Sequence, residues 1–240
     1  MPMSSQSKPS DGIRSDPRTA AVLLVRMAEV GDGLAAKPVD LEHRFRFMSS
    51  VAVAVRQSDG IVAHCSDDGI IGCFEGASAA DEAHAAAIVV LDTVADQRTA
   101  HADFPPAAIA LDYGAVHFLR YAEGLPPDPQ GPTVERGRHL LLTVPAGAAL
   151  ATTAFRDELR SRDDWRGVRK VPIAGLEGER LYQLKGYGET FKWRPTIRVE
   201  AGRYDELRDR LDDYEYRIGR KDAQIARLEE LMREITGDDD

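Results

Sequence analysis

Residues 60–74, with the sequence GIVAHCSDDGIIGCF, constrain the fold more than any other stretch of this chain. Two β-branched runs, 61–65 and 70–74, flank a polar cluster that ends in Gly69, a pattern that predicts a β-hairpin with a tight turn. Two adjacent carboxylates, Asp67 and Asp68, lie at the predicted tip. They are candidate ligands for a divalent cation, because hard cations prefer carboxylate oxygens. Asp-Asp-Gly is also good turn chemistry, and we favour this structural interpretation of the motif taken alone.

The two cysteines of the chain, Cys65 and Cys73, lie on opposite arms of the predicted hairpin. A two-residue loop pairs Cys65 with Ile70 and Cys73 with Val62. The two thiols are then out of register for a disulfide, whose geometry is specific. We therefore predict reduced, buried thiols, since the reduced state is the usual one in the cytosol.

Composition and charge exclude several classes of partner. The chain has 240 residues, 43% of them hydrophobic, and a formal net charge of -9. This acidic balance argues against nonspecific binding to nucleic acid or to an anionic membrane, both of which require a basic surface. No apolar run approaches the roughly 20 residues of a membrane span, and the N-terminal residues lack the apolar core of a secretory signal. We expect a cytoplasmic protein without nucleic-acid or membrane partners.

The first half of the chain predicts a tail, a buried strand and two helices. Residues 1–18 are polar and are predicted to be a disordered tail. Residues 21–25 form a continuous apolar run, which is typical of a central strand covered on both faces. Asp40 is a candidate N-cap for a helix whose apolar positions are 41, 45, 48, 52 and 55. A second helix is predicted from Ser78 to about Thr99, with its apolar face at 85, 86, 89, 90 and 94.

The second half of the domain alternates short strands with helices. We predict two strands, 107–111 and 116–119, separated by a turn, and then a Pro/Gly loop at 122–132 without regular structure. A helix at 134–144, a strand at 150–152, a helix at 154–162 and a hairpin formed by 168–173 and 180–185 follow. Such a mixture of hairpins and alternating helices predicts an α+β sandwich for residues 19–186. Residues 187–202 are interpreted as a connector.

Residues 203–236 have a different character from the rest of the chain. Ten positions between Tyr204 and Ile235 recur at steps of 3 and 4, and Lys221 alone among them is not apolar. This spacing, with Ile218 and Ile225 at one core position, predicts a parallel two-stranded coiled coil. The alternative is one amphipathic helix that packs against its own domain.

Four local motifs, in this order, resemble the class III nucleotidyl (adenylate/guanylate) cyclase homology domain over residues 20–185. The motifs are Asp68–Phe74 in the hairpin, Ile109–Val116, Asp128–Val134, and Val171–Leu176 followed by Arg180–Leu184 in the closing hairpin. The resemblance implies a ferredoxin-like, nucleotidyl cyclase-type sandwich, with a mixed sheet flanked by helices and the coiled coil appended at the C-terminus.

The same resemblance identifies the residues on which activity depends. In that family, two Asp residues, one at the end of the first strand and one in the hairpin, hold two divalent ions. Asp68 matches the hairpin ligand, but the first strand carries Arg26, and the nearest carboxylate is Glu29. On the helix predicted at 134–144, Glu135 and His139 replace the family's Asn and Arg. His64 stands in the position of the base-selecting Lys.

These replacements predict a catalytically degenerate domain that acts as a dimeric regulatory or interaction module in bacterial-type nucleotide signalling or defence. Its expected partners are a second copy or another cyclase-like chain, together with a coiled-coil protein, and no cofactor is expected. The alternatives are an active purine or pyrimidine nucleotide cyclase, with Mg²⁺ or Mn²⁺ held by Asp67, Asp68 and Glu29, or a nucleotide-binding sensor. Arg136 and Arg138 are the candidate phosphate contacts.

Overall fold

The computed structural model of the chain describes residues 14–28, 39–66, 68–120, 127–168, 173 and 175–189. The predicted coiled coil at 203–236, most of the predicted connector, and the candidate carboxylates Glu29 and Asp67 lie outside these residues. Within the described residues, no helix has the length and apolar character needed to cross a membrane.

The described residues form one mixed sheet of eight strands with helices on both faces. The strands are β1 (Arg14–Met27), β2 (Ile61–Cys65), β3 (Gly69–Glu75), β4 (Ala107–Arg120), β5 (Asp128–Gln130), β6 (Ala148–Ala151), β7 (Trp165–Gly167) and β8 (Tyr182–Leu184). The helices are α1 (Leu41–Gln57), α2 (Ala79–Ala100), α3 (Pro132–Leu141) and α4 (Thr153–Glu158). The strand order is β2-β3-β1-β4-β6-β8-β7, and β5 pairs with β4 outside this path. The β4–β6 pair is parallel and the other pairs are antiparallel.

The predicted central strand is confirmed as the middle of β1. Residues 20–25 are at most 2% exposed. Because side chains alternate between the two faces of a strand, residues 21, 23 and 25 pack with α1 and α2, whereas residues 20, 22 and 24 pack with α3. The sheet is therefore covered on both faces, which explains why this run is apolar without alternation.

The N-terminal boundary of the domain differs from the prediction. β1 begins at Arg14, so the predicted disordered tail is wrong for residues 14–18. Residues 14–18 pair with the second half of β4, and Arg14 lies opposite Arg120. Arg18 forms ion pairs with Asp16 and Glu75. The polar composition suggested a tail, but ladder hydrogen bonds join backbone groups and do not require apolar side chains.

β4 is a single strand of 14 residues, and the predicted strand–turn–strand arrangement is wrong. At Gly114 the strand continues with a φ of +153°. Glycine adopts this value readily, whereas other residues adopt it rarely. A Cβ at this position would also lie 2.8 Å from the hydroxyl oxygen of Thr133. The long strand provides a partner for β5, so the loop predicted at 122–132 contains a short strand that pairs with residues 117–119.

Helix α1 begins as predicted, and its buried face coincides with the predicted one only in part. Asp40 is the N-cap, and its Oδ1 accepts a hydrogen bond of 2.9 Å from the backbone N–H of His43. The fully buried residues are Phe47, Val51, Ala54 and Val55. Of the predicted face, residues 48, 52 and 55 are buried or pack against the core, whereas Leu41 and Phe45 are 80% and 73% exposed. The sequence contains two apolar stripes at helical spacing, and contact with the sheet selects the one centred on Phe47.

The other helices and the closing hairpin depart from the predictions in smaller ways. On α2, the predicted face is buried at residues 86, 90 and 94 but exposed at 85 and 89. In the closing hairpin, the described strand that pairs with β8 is β7, at 165–167; of the predicted first arm, 168–173, residues 169–172 lie outside the described residues. Its second arm, β8, lies within the predicted range of 180–185.

The hairpin of β2 and β3 is confirmed, with a register shift in its middle. Cys65 pairs with Ile70 as predicted, whereas Cys73 pairs with Ile61, because the register shifts between Val62 and His64. Both thiols are free; Cys73 is buried as predicted, whereas Cys65 is exposed, so the predicted burial is wrong for Cys65. Burial raises the pKa of the Cys73 thiol to about 12, so this thiol stays protonated and packs as a small apolar side chain.

Candidate functional site

A cleft of about 340 Å³ lies where the end of β1, the β2–β3 hairpin and the end of α3 meet. Its apolar lining consists of Leu24, Val25, Ile70, Ile71, Leu141 and Leu142, and its polar lining consists of Arg26, His64, Ser66, Asp68 and Arg138. The fold thus brings together Asp68 and Arg138, two of the residues selected from the sequence. The volume is within the range of small-molecule sites.

Asp68 is placed at the cleft by the close approach of the hairpin to β1. The backbone N–H of Met27 donates to the carbonyl oxygen of Asp68 at 2.8 Å. A Cβ at Gly69 would lie 2.3 Å from the carbonyl oxygen of Val25, so only glycine fits there. The Asp68 side chain is exposed and accepts a hydrogen bond of 3.0 Å from the hydroxyl of Ser66. This bond within the turn supports the structural interpretation of the motif.

Arg26 brings a positive charge to the same cleft. It is the β1 residue opposite Gly69, and its side chain is partly buried. Its Nε donates a long hydrogen bond of 3.4 Å to the carbonyl oxygen of Leu141. Among the described residues, no carboxylate lies within 4.0 Å of its guanidinium. Arg26 therefore forms no ion pair with a described residue, although Asp68 lines the same cleft.

The described cleft residues do not fit a two-metal centre. Such a centre needs several oxygen ligands placed together, and Asp68 supplies the one carboxylate among the described lining residues. The neighbouring side chain at the end of β1 is the cation Arg26, which opposes the binding of divalent ions. No step of metal chemistry is derived from this cleft.

Another group of described residues brings three potential metal ligands within 4.8 Å of one another: Asp40, His43 and Asp103. None of them lines the cleft. Asp40 caps α1 through Oδ1, and its Oδ2 lies 2.8 Å from Nδ1 of His43. Helix capping accounts for this arrangement, so we assign no metal to it.

On α3, Arg138 faces the cleft and is paired with a residue of its own helix. Its Nη1 lies 2.8 Å from Oε1 of Glu135, and the two side chains are 39% and 52% exposed. An exposed i,i+3 pair of this kind is weak. His139 is partly buried and does not line the cleft.

Arg136, the other candidate phosphate contact, is held in a buried ion pair. Its Nε and Nη2 donate to the two carboxylate oxygens of Asp112 at 2.9 and 3.1 Å. Asp112 is fully buried and also accepts hydrogen bonds from the hydroxyl of Thr152 and the backbone N–H of Tyr113, at 2.6 and 2.8 Å. Arg136 does not line the cleft; its Nη1 lies 3.8 Å from Glu179.

Burial raises the pKa of Asp112, whereas the hydrogen bond from Thr152 and the charge of Arg136 act in the opposite direction. Sequence analysis missed this pair because Asp112 stood in a predicted turn. The sequence did contain a signal. Asp112 directly follows the apolar run 107–111, and a carboxylate that lies in a buried strand needs a buried partner.

His64 lines the cleft from β2 and contacts the second half of the sheet. Its Nδ1 lies 3.8 Å from Oδ1 of Asp128 on β5. Asp128 also accepts a hydrogen bond of 2.7 Å from the side chain of Gln130. The histidine thus connects the hairpin to the short strand that precedes α3.

The fold is similar to solved structures of nucleotide cyclase domains. The guanylate cyclase domain of RhGC from Catenaria anguillulae, solved in complex with GTP, matches with a TM-score of 0.59 and 13% identity, over 72% of this chain and 100% of that chain. The adenylyl cyclase CyaB from P. aeruginosa matches with a TM-score of 0.59 and 12% identity, over 75% and 98%. A non-canonical dimeric guanylyl cyclase domain, from the RhoGC fusion protein of the aquatic fungus Blastocladiella emersonii, matches with a TM-score of 0.58 and 11% identity, over 73% and 98%.

No protein-family profile and no curated protein matches the chain. The similarity to solved structures shows that the chain has the class III nucleotidyl cyclase-like fold, which confirms the fold expected from the four motifs. At 11–13% identity this similarity concerns the fold alone. Activity depends on the residues of the cleft and does not follow from the fold.

Proposed function

We propose that this chain, built on a class III nucleotidyl cyclase-like fold, is a catalytically degenerate domain that acts in the cytoplasm as a dimeric regulatory or interaction module in nucleotide signalling or defence. The observation that carries the proposal is the position of Arg26. It lies at the end of β1, beside Asp68, where the resemblance requires a carboxylate for two-metal chemistry.

Charge explains why this replacement is incompatible with turnover. Two-metal catalysis places both ions, the nucleophile and the leaving group together. A guanidinium beside the one described carboxylate repels the ions that the carboxylate would bind. The resemblance expects an Asn at position 135 of α3, but Glu135 is there and forms an ion pair with Arg138. The proposal therefore rests on two elements of the site, β1 and α3. Each carries a residue that differs from the one that two-metal catalysis requires.

The first test of the proposal is binding of a divalent metal ion. We expect that Mn²⁺ produces no rise in melting temperature that depends on Asp68, because Arg26 opposes a cation at this place. The measurement is a thermal melt of wild type and Asp68→Asn, each with and without Mn²⁺. A rise that persists in Asp68→Asn arises at another place in the chain. A rise in wild type that Asp68→Asn abolishes would contradict the proposal.

The second test concerns the association of chains through residues 203–236. We expect the full-length chain to be a dimer and Ile225→Asp to weaken it strongly, because a buried carboxylate in an apolar seam is costly. Ala223→Asp is the matched control, since it adds the same charge at a position of the heptad that faces away from the seam. Light scattering of the three proteins at equal concentration measures the mass. A monomeric wild type, or a dimer that Ile225→Asp leaves intact, would contradict the predicted coiled-coil dimer.

A further inference from the structure

The guanidinium of Arg26 is a partly buried cation between apolar walls. Its one hydrogen bond to a described residue, the carbonyl oxygen of Leu141, is long at 3.4 Å. A guanidinium carries five N–H donors, and the described residues place no carboxylate within 4.0 Å of it. Withdrawing a cation from water without a counter-charge is unfavourable, and an anion in the cleft would compensate for this cost.

We propose that the cleft binds an organic phosphate directly through Arg26 and Arg138, without a bridging divalent ion. This inference rests on the proposed function, because a cleft that binds its ligand without metal is an alternative to a two-metal catalytic centre. It assigns a ligand class to the same site: a phosphate group attached to an apolar or aromatic body.

Arg138 is available as the second cationic contact. It lines the cleft and is 39% exposed, and its partner Glu135 is an exposed residue of the same helix. Exchange of this weak surface pair for a phosphate costs little. Guanidinium groups recognise phosphate oxygens through paired N–H donors, and such charge-assisted bonds are among the stronger ones.

The remaining charged groups of the cleft define where the phosphate binds. Asp68 lies at the hairpin tip and repels an anion, so the phosphate is expected between Arg26 and Arg138, away from the tip. His64 also lines the cleft, beside β5. The apolar walls formed by β1, β3 and the end of α3 then accommodate the body of the ligand, in a cleft of about 340 Å³.

Titration calorimetry in EDTA tests the inference, with pyrophosphate, ATP and adenosine as probes. We expect both phosphates to bind without metal, ATP more tightly because of its aromatic body, and adenosine to bind weakly or not at all. Arg26→Gln and Arg138→Gln should each weaken ATP binding by about tenfold or more, since each removes one charge-assisted contact. Arg46→Gln, an exposed arginine on α1 outside the cleft, is the matched control and should bind as wild type does.

Reversing the charge at one residue gives a second measurement. Arg26→Asp should abolish ATP binding in EDTA and, together with Asp68, create an Mn²⁺-dependent rise in melting temperature that wild type lacks. The variant is expected to fold, because the side chain of Arg26 makes one weak hydrogen bond. Circular dichroism checks this.

Three results would overturn the inference: no phosphate binding in EDTA, ATP binding unchanged in Arg26→Gln, or ATP binding that requires Mg²⁺ or Mn²⁺. Each leaves the proposed function standing if no cyclic nucleotide forms. Formation of cyclic nucleotide would instead overturn the proposed function, whatever the calorimetry shows.

Discussion

Replacement of Phe47 by alanine is expected to lower the free energy of unfolding by about 3 to 5 kcal/mol. Phe47 is fully buried in the core between α1, α2 and the sheet, and its ring lies 6.4 Å from that of Phe104. Truncation removes this apolar contact and leaves a cavity that the surrounding helices fill only in part. Denaturant unfolding of both proteins measures the difference.

Phe45→Ala is the matched control, because it deletes the same ring two positions away. Phe45 is 73% exposed, so its removal should change the free energy of unfolding by no more than about 0.5 kcal/mol. Equal losses in the two variants would mean that α1 buries the face centred on Phe45, the face predicted from its periodicity, and would contradict the packing described above.

Arg136→Leu is expected to cost about 3 kcal/mol, because it leaves the carboxylate of Asp112 buried without its cation. The loss should be smallest at acidic pH. Burial raises the pKa of Asp112, and removal of Arg136 raises it further. A pKa that is higher in the folded than in the unfolded state contributes stability below the unfolded pKa and loses it as pH rises through the folded pKa. The deficit of the variant should therefore grow from mildly acidic to neutral pH.

Arg138→Leu on the same helix is the control for Arg136→Leu. Its pair with Glu135 is exposed, so the change should cost less than about 1 kcal/mol and vary little with pH. The double variant Arg136→Leu with Asp112→Asn should recover part of the loss, since the uncompensated charge is then absent. A loss that is independent of pH and is not relieved by Asp112→Asn would contradict the ion pair.

The centre of the sheet was predictable because single local patterns specify it. The apolar run of β1 has no polar residue on either face, and the hairpin carries its own turn signal at Asp68-Gly69. The face of α1 was not predictable, because two apolar stripes fit the helical period equally and contact with the sheet chooses between them. Likewise, β1 extends to Arg14 and β4 continues past Gly114 because each provides a partner for the other.

The candidate site was predictable in part. The motifs selected Arg26, Asp68 and Arg138 separately, and the fold places all three at the lining of one cleft, where β1, the hairpin and α3 meet. The role of Arg136 was not apparent, since its distance of 24 residues from Asp112 does not reveal that β4 and α3 bring the two together. Sequence spacing indicates which residues share one element, and tertiary packing decides which residues pair across elements.

Whether the protein converts nucleoside triphosphates can be measured directly. Pure full-length protein is incubated with ATP, GTP, CTP or UTP in the presence of Mn²⁺, and cyclic products are separated and quantified against a blank without protein. We predict no cyclic nucleotide above the blank, because Arg26 stands where two-metal chemistry needs a carboxylate. Cyclic product above the blank that disappears in Asp68→Ala would contradict the account.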